Sequence, residues 1–167
     1  CDHCFYKESL DAKDPGEKSL QQIDKTTKEI GPVLWYALGG GEPFVRSDLA
    51  EVQKTIMNNC KPMMMTIPTN AWYTEETYLK TLQMLQQMDG RQLTIQVSID
   101  GPLIIHDGIR GEGSWHRIEK TWKKLKELQS LYHNLSLAII TVVSEKNYHV
   151  YPEFVDELVE KFYPNQL

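Results

Sequence analysis

Val33-Leu34-Trp35-Tyr36-Ala37-Leu38-Gly39-Gly40-Gly41-Glu42-Pro43-Phe44 is the stretch that decides the fold. Six apolar and aromatic residues in a row make a short buried strand, and the glycines after Leu38 end it abruptly. Upstream, the segment from Glu17 to Ile30 sets Leu20, Ile23, Thr27 and Ile30 on one helical face, and Gly31-Pro32 stops the helix. Downstream, Ser47 is positioned to cap a helix that turns Leu49, Val52 and Ile56 inward and ends near Asn59. The predicted unit is therefore helix, strand, glycine turn, helix.

The same alternation continues along the chain. Met63 to Pro68 reads as a strand, and Thr74-Glu75-Glu76 starts a helix with a capping hydroxyl and early carboxylates, followed by Leu79, Leu82, Leu85 and Met88. Leu93 to Ile99 is again a strand. Ser114 caps a helix with the stripe Trp115, Ile118, Trp122, Leu125 and Leu128; Leu135 to Val143 is a strand rich in branched residues, and Tyr151-Pro152 opens a last helix. Four strands and five helices in alternation define an α/β chain of parallel βα repeats joined by right-handed crossovers. Gly39 to Pro43, Thr69-Asn70, Ser98 to Gly101 and Ser144 to Asn147 all fall where a strand ends. In parallel α/β folds that edge binds ligands.

The 167 residues fit one domain, and a hydrophobic fraction of 41% is enough for a substantial core. A net charge of -5 argues against a nucleic-acid or membrane-surface binder, either of which would present a basic patch. Lys123, Lys124 and Lys126 alternate with Trp122, Leu125 and Leu128, as on a solvated helix face. The apolar runs are strand-length, so nothing reads as a membrane span, and three cysteines fit a reducing compartment, with cytoplasm as the expectation. Cys60 reads as a helix-end or core residue.

Two features carry chemistry. The amides of Gly39-Gly40-Gly41 can approach a ligand closely, and Glu42 then offers a carboxylate to a cation such as an ammonium group. A phosphate loop would end in Gly-Lys-Ser/Thr and would not place an anion there. At the start of the chain, Cys1-Asp2-His3-Cys4-Phe5-Tyr6 sets two thiolates three positions apart, a spacing that grips one metal or cluster from a single loop.

Taken together, these elements resemble the radical S-adenosylmethionine superfamily over nearly the whole chain, from Cys1 to at least Asn147. The family's C-x-x-x-C-x-Φ-C loop, with Φ usually aromatic, would take its second cysteine as Cys1, Φ as His3 and its third cysteine as Cys4. Gly40-Gly41-Glu42 matches its GGE motif, and Arg46-Ser47-Asp48-Leu49 is typical of the run just after that motif. Thr69-Asn70 resembles its T-N element, although the usual glycine is here Ala71. Ser98-Ile99-Asp100-Gly101 with His106-Asp107 and Arg110-Gly111 is similar to the strand-four region of peptide-modifying members, those that often carry a C-terminal extension with auxiliary clusters.

The resemblance implies a partial TIM barrel and two cofactors, a [4Fe-4S] cluster and S-adenosylmethionine. It makes Cys1 and Cys4 cluster ligands, and it makes His3, Gly40, Gly41, Glu42, Asn70, Ser98, Asp100 and Arg110 cofactor contacts. Its implied chemistry is reductive cleavage of S-adenosylmethionine to a 5'-deoxyadenosyl radical, which takes hydrogen from a substrate C–H bond. A peptide or protein substrate and an electron donor such as flavodoxin or ferredoxin are the implied partners, although members that modify small molecules or lipids share the same stretches. Tyr6 is a candidate radical or proton relay, against the plainer role of a packing tyrosine. On this match residues 1–167 form a single incomplete core domain, truncated before the first strand and before the last βα unit. The expected result is an open sheet with an exposed edge, inactive alone for want of a third cysteine. Two other functions compete: a zinc module joining Cys1 and Cys4 to His3, His106, His116, His133 or His149, and a catalytically dead scaffold for partner binding. The zinc module lacks a second C-x-x-C or an H-x-x-x-H pair.

Overall fold

A computed structural model describes residues 16–167. In chain order its elements are α1 (Leu20–Ile30), β1 (Trp35–Ala37), a single 3-10 turn (Pro43–Val45), α2 (Leu49–Cys60), β2 (Met64–Thr69), α3 (Thr74–Leu85), β3 (Gln92–Ser98), α4 (Leu103–Arg110), α5 (Ser114–Leu131), β4 (Leu135–Ile140) and α6 (Tyr151–Phe162). The four strands make one parallel sheet in the order β1-β2-β3-β4. Because the order never reverses, right-handed crossovers lay every connecting helix on the same face. The helices accordingly pack in sequence, α1 on α2, α2 on α3 and α3 on α5.

The core lies between that helical layer and one face of the sheet. Met65, Ile67, Leu93, Ile95, Val97, Leu135, Leu137 and Ile139 alternate along β2, β3 and β4 and are all buried. The other face is more polar, with Trp35 Nε1 donating to Thr66 Oγ1 at 2.8 Å and Gln92 Nε2 donating to Ser136 Oγ at 2.8 Å. This places the strand C-termini along one edge, with the turns that come after them.

Several elements depart from the sequence expectation, each for a local reason. Among the described residues β1 pairs only with β2, so the stretch expected to be a buried strand is a half-buried edge, with Leu34 and Trp35 exposed. Ile30 closes α1 and is exposed, while the helix begins at Ser19 through a reciprocal cap with Gln22. In α3 the buried face is Thr77, Thr81, Met84 and Leu85, and Leu79 is exposed, because an i, i+4, i+7 stripe starting at Thr77 faces inward.

Three helix caps also fall elsewhere. Asp48, Tyr73 and Gly113 hold the N-cap positions expected for Ser47, Thr74 and Ser114. Thr74 instead shares a hydrogen bond with Thr121 at 2.8 Å. Helix α4 lies where His106-Asp107 could have been a simple turn, and it buries His106 and Ile109 three positions apart. β4 ends at Ile140, three residues before the expected Val143. Among the described residues no helix is long and apolar enough to cross a membrane.

Candidate functional site

Glu42 is fixed from three directions. It caps the 3-10 turn, its Oε1 accepting the Phe44 N–H at 3.2 Å and the Thr69 hydroxyl at 2.9 Å, while Oε2 accepts the Asn70 N–H at 2.6 Å. Phe44 is fully buried and anchors the turn, and Lys80 Nζ reaches its carbonyl at 2.5 Å. An ionised carboxylate offers about four acceptor sites, and these bonds use three, leaving room on Oε2 for one further donor. Burial pushes the Glu42 carboxyl above its ordinary value, outweighing the opposing bonds from Asn70, Phe44 and Thr69 and the nearby Arg110 charge.

The glycines before it leave space. A Cβ added at Gly39 or Gly40 would meet nothing within 4 Å, and Gly40 has a φ of 132° that side chains rarely adopt. A cavity of about 430 Å³ opens here, with Gly39, Gly40, Gly41, Glu42 and Arg46 in its wall. Arg46 is itself turned to Asp48 and to the Lys18 carbonyl, so it closes the wall of the cavity.

At the end of β2 the loop is equally restrained. Asn70 Oδ1 accepts the Trp72 N–H at 2.9 Å, Ala71 N–H donates to Thr69 Oγ1 at 3.0 Å, and the Thr121 hydroxyl donates to the Ala71 carbonyl at 2.9 Å. Asn70 thus meets Glu42 through its backbone while its side-chain oxygen holds its own turn. Ala71, fully buried, takes a φ of 57°, the left-handed conformation that glycine adopts without strain.

The end of β3 supplies the charges. Asp100 is fully buried; its Oδ2 pairs with Arg110 Nε and its Oδ1 accepts the Val142 N–H at 3.0 Å. The Asp100 N–H donates to His106 Nδ1 at 3.1 Å, and the Asp100 carbonyl accepts from Asn147 Nδ2 at 2.8 Å. Asp100 therefore works inside the protein, aiming Arg110. Ser98 closes β3 half-buried, and its hydroxyl has no partner among the described residues. Gly101 lets α4 come close: a Cβ there would lie 2.7 Å from Ile105 Cγ2.

Asp107 and Asn147 play parts that sequence reasoning did not assign. Asp107 accepts from Gly113 N–H, Ser114 Oγ and Trp115 N–H, all within 2.9 Å, and so caps α5 from the preceding helix. Burial opposes its charge, but the donors at Trp115, Gly113 and Ser114 prevail and hold its carboxyl below the ordinary range. The only sequence signal was an acidic residue shortly ahead of a helix whose own cap position is glycine. Asn147 ties the loop after β4 to the loop after β3, its Nδ2 also donating to the Val142 carbonyl at 2.9 Å.

His106 is fully buried, and desolvation together with the Arg110 charge lowers its pKa from 6.5 to about 4, against the opposing fields of Asp100 and Asp107. The folded protein keeps the ring neutral where the unfolded chain would protonate it, so stability is lost as pH falls from about 6.5 toward 4. Urea unfolding should show about 2 kcal/mol less stability from this group at about pH 4.5 than at about pH 7. His106→Leu should remove that part of the slope, and an unchanged slope in the variant would place the acid sensitivity elsewhere.

Of the expected site residues, the structure brings Glu42, Asn70, Asp100 and Arg110 to one edge, with Gly40, Gly41 and Ser98 beside them. Arg110 lies close enough to Glu42 to act on its charge. Cys1, His3, Cys4 and Tyr6 lie outside the described residues. Among the described residues no three His, Cys, Asp or Glu side chains group to hold a metal ion; His106 is buried, and His116, His133 and His149 are exposed. An acceptor at Glu42 and a cation at Arg110 can together take a zwitterion, its ammonium at the first and its carboxylate at the second. No family model matches the chain, and no curated protein is significantly similar to it.

Proposed function

We propose that this chain is the partial-barrel core of a radical S-adenosylmethionine enzyme that acts on a peptide or protein substrate. The single observation that carries this reading is the half-buried Glu42 carboxylate, held by Thr69, Asn70 and Phe44 beside open glycines and within the field of Arg110. Those groups suit the methionyl end of S-adenosylmethionine, with Glu42 taking the ammonium and Arg110, aimed by Asp100, taking the carboxylate. The cavity beside Glu42 has apolar side chains in its wall, among them Leu38, Leu49 and Val52, which lower the local dielectric and strengthen an ion pair at the carboxylate. Ser98, at the neighbouring strand end, offers a hydroxyl to a ribose.

Cys1 and Cys4 would hold a [4Fe-4S] cluster together with a third thiolate, and the cluster and S-adenosylmethionine, when bound, would supply the reductive C–S cleavage and the hydrogen abstraction. An electron donor such as flavodoxin or ferredoxin completes the reaction. The test is anaerobic reconstitution with iron and sulfide of the chain extended by a cysteine four residues before Cys1. Reduction in the presence of S-adenosylmethionine should then release 5'-deoxyadenosine, and Cys4→Ala should abolish it. A reconstituted protein that carries the cluster and releases none would overturn the assignment.

A further inference from the structure

We propose that His106 is a positioning residue, which holds the Asp100 backbone so that the Asp100–Arg110 pair keeps the Arg110 charge toward Glu42. The proposal deepens the zwitterion-binding function and rests on it. Helix α4 grips Asp100 twice from one face, since His106 and Arg110 are four residues apart: the His106 ring takes the backbone N–H and the Arg110 guanidinium takes the carboxylate. Accepting that N–H fixes the neutral ring with its proton on Nε2. The buried Nε2 has no partner among the described residues. A desolvated donor without an acceptor is a cost that an apolar side chain of similar size would avoid, so packing alone does not account for a histidine here.

The surroundings leave the ring one polar task. Asp107 and Arg110 face it from its own helix, Asp100 from the loop after β3, and the Trp115 ring from α5, with centroids 5.9 Å apart. Asn147, from the loop after β4, holds the Asp100 carbonyl on the other side of the same residue. Asp100 is thereby fixed at its N–H, carbonyl and carboxylate by three side chains, those of His106, Asn147 and Arg110.

The experiment follows the Glu42 carboxyl by carbon NMR titration in the full chain, as wild type, His106→Leu and His106→Asn, alongside calorimetric titration with S-adenosylmethionine. A change confined to folding stability would not move the Glu42 midpoint, whereas displacement of Arg110 raises it. The midpoint should rise in His106→Leu and return in His106→Asn, whose Oδ1 can stand in for Nδ1. Affinity for S-adenosylmethionine should fall about tenfold in the leucine variant and recover to within about threefold in the asparagine variant. If the leucine variant does not fold, His106→Phe, which keeps a flat ring and lacks an acceptor, replaces it. An unmoved Glu42 midpoint in the folded variant overturns the proposal. Equal binding of S-adenosylmethionine by wild type and Glu42→Gln overturns the ligand assignment instead, and the Glu42 midpoint then still decides the role of His106.

Discussion

Asp100→Ala is expected to lower the stability of the protein by about 3–5 kcal/mol, the usual cost of removing one partner from a buried ion pair. Asp100 is fully buried and the Arg110 side chain is 10% exposed, so the guanidinium cannot recover in water what it loses. The Val142 N–H loses its acceptor in the same step, and with it the anchor of the loop after β4. In a protein of this size the melting temperature should fall by roughly 10 °C. The companion variant separates the causes: Asp100→Ala combined with Arg110→Met strands no charge and should be more stable than Asp100→Ala alone. Thermal melts showing the double variant equal to or worse than the single one would mean that the stranded charge contributes little.

Glu42→Gln should weaken binding of S-adenosylmethionine by about 2–3 kcal/mol, roughly 30- to 150-fold, because an ammonium would lose a charged acceptor at a half-buried carboxylate. The substitution is nearly isosteric, yet the amide presents one oxygen where the carboxylate presented two. Either the Asn70 N–H or the Phe44 N–H then faces another donor, which costs on the order of 1 kcal/mol of stability. Calorimetry and a melting curve on the same sample distinguish the two losses. Because burial raises the Glu42 pKa, the wild-type affinity should climb with pH through the Glu42 titration, and the glutamine variant should lack that rise. A pH-independent wild-type affinity would remove Glu42 from the binding step.

The alternation of strands and helices was legible because branched and aromatic runs such as Leu93 to Ile99 have no helical alternative once glycine and polar clusters bound them. Helix α4 was not, since Leu103-Ile104-Ile105 is too short and too apolar to show a helical period and Gly108 reads as punctuation. Capping residues were visible but misplaced by one position, because Thr74 and Ser114 are claimed by Thr121 and Asp107, partners that no local pattern reveals. The site divided in the same way. Glu42, Asn70 and Asp100 stand out from their places beside strand ends and Arg110 only through the family resemblance, whereas the duties of Asp107 and Asn147 exist only through bonds to other segments.

The strand order has a dynamic consequence. Every strand pairs with its neighbour in sequence, so the sheet can assemble and open one unit at a time, and β1, three residues long and held on one side among the described residues, is the unit most easily released. The glycine turn and Glu42 hang from that strand. Amide hydrogen exchange should therefore run faster through Tyr36 and Leu38 than through Ile95 and Val97, and a ligand bridging Glu42 to Arg110 would slow it by stitching the frayed margin of the sheet to its protected centre.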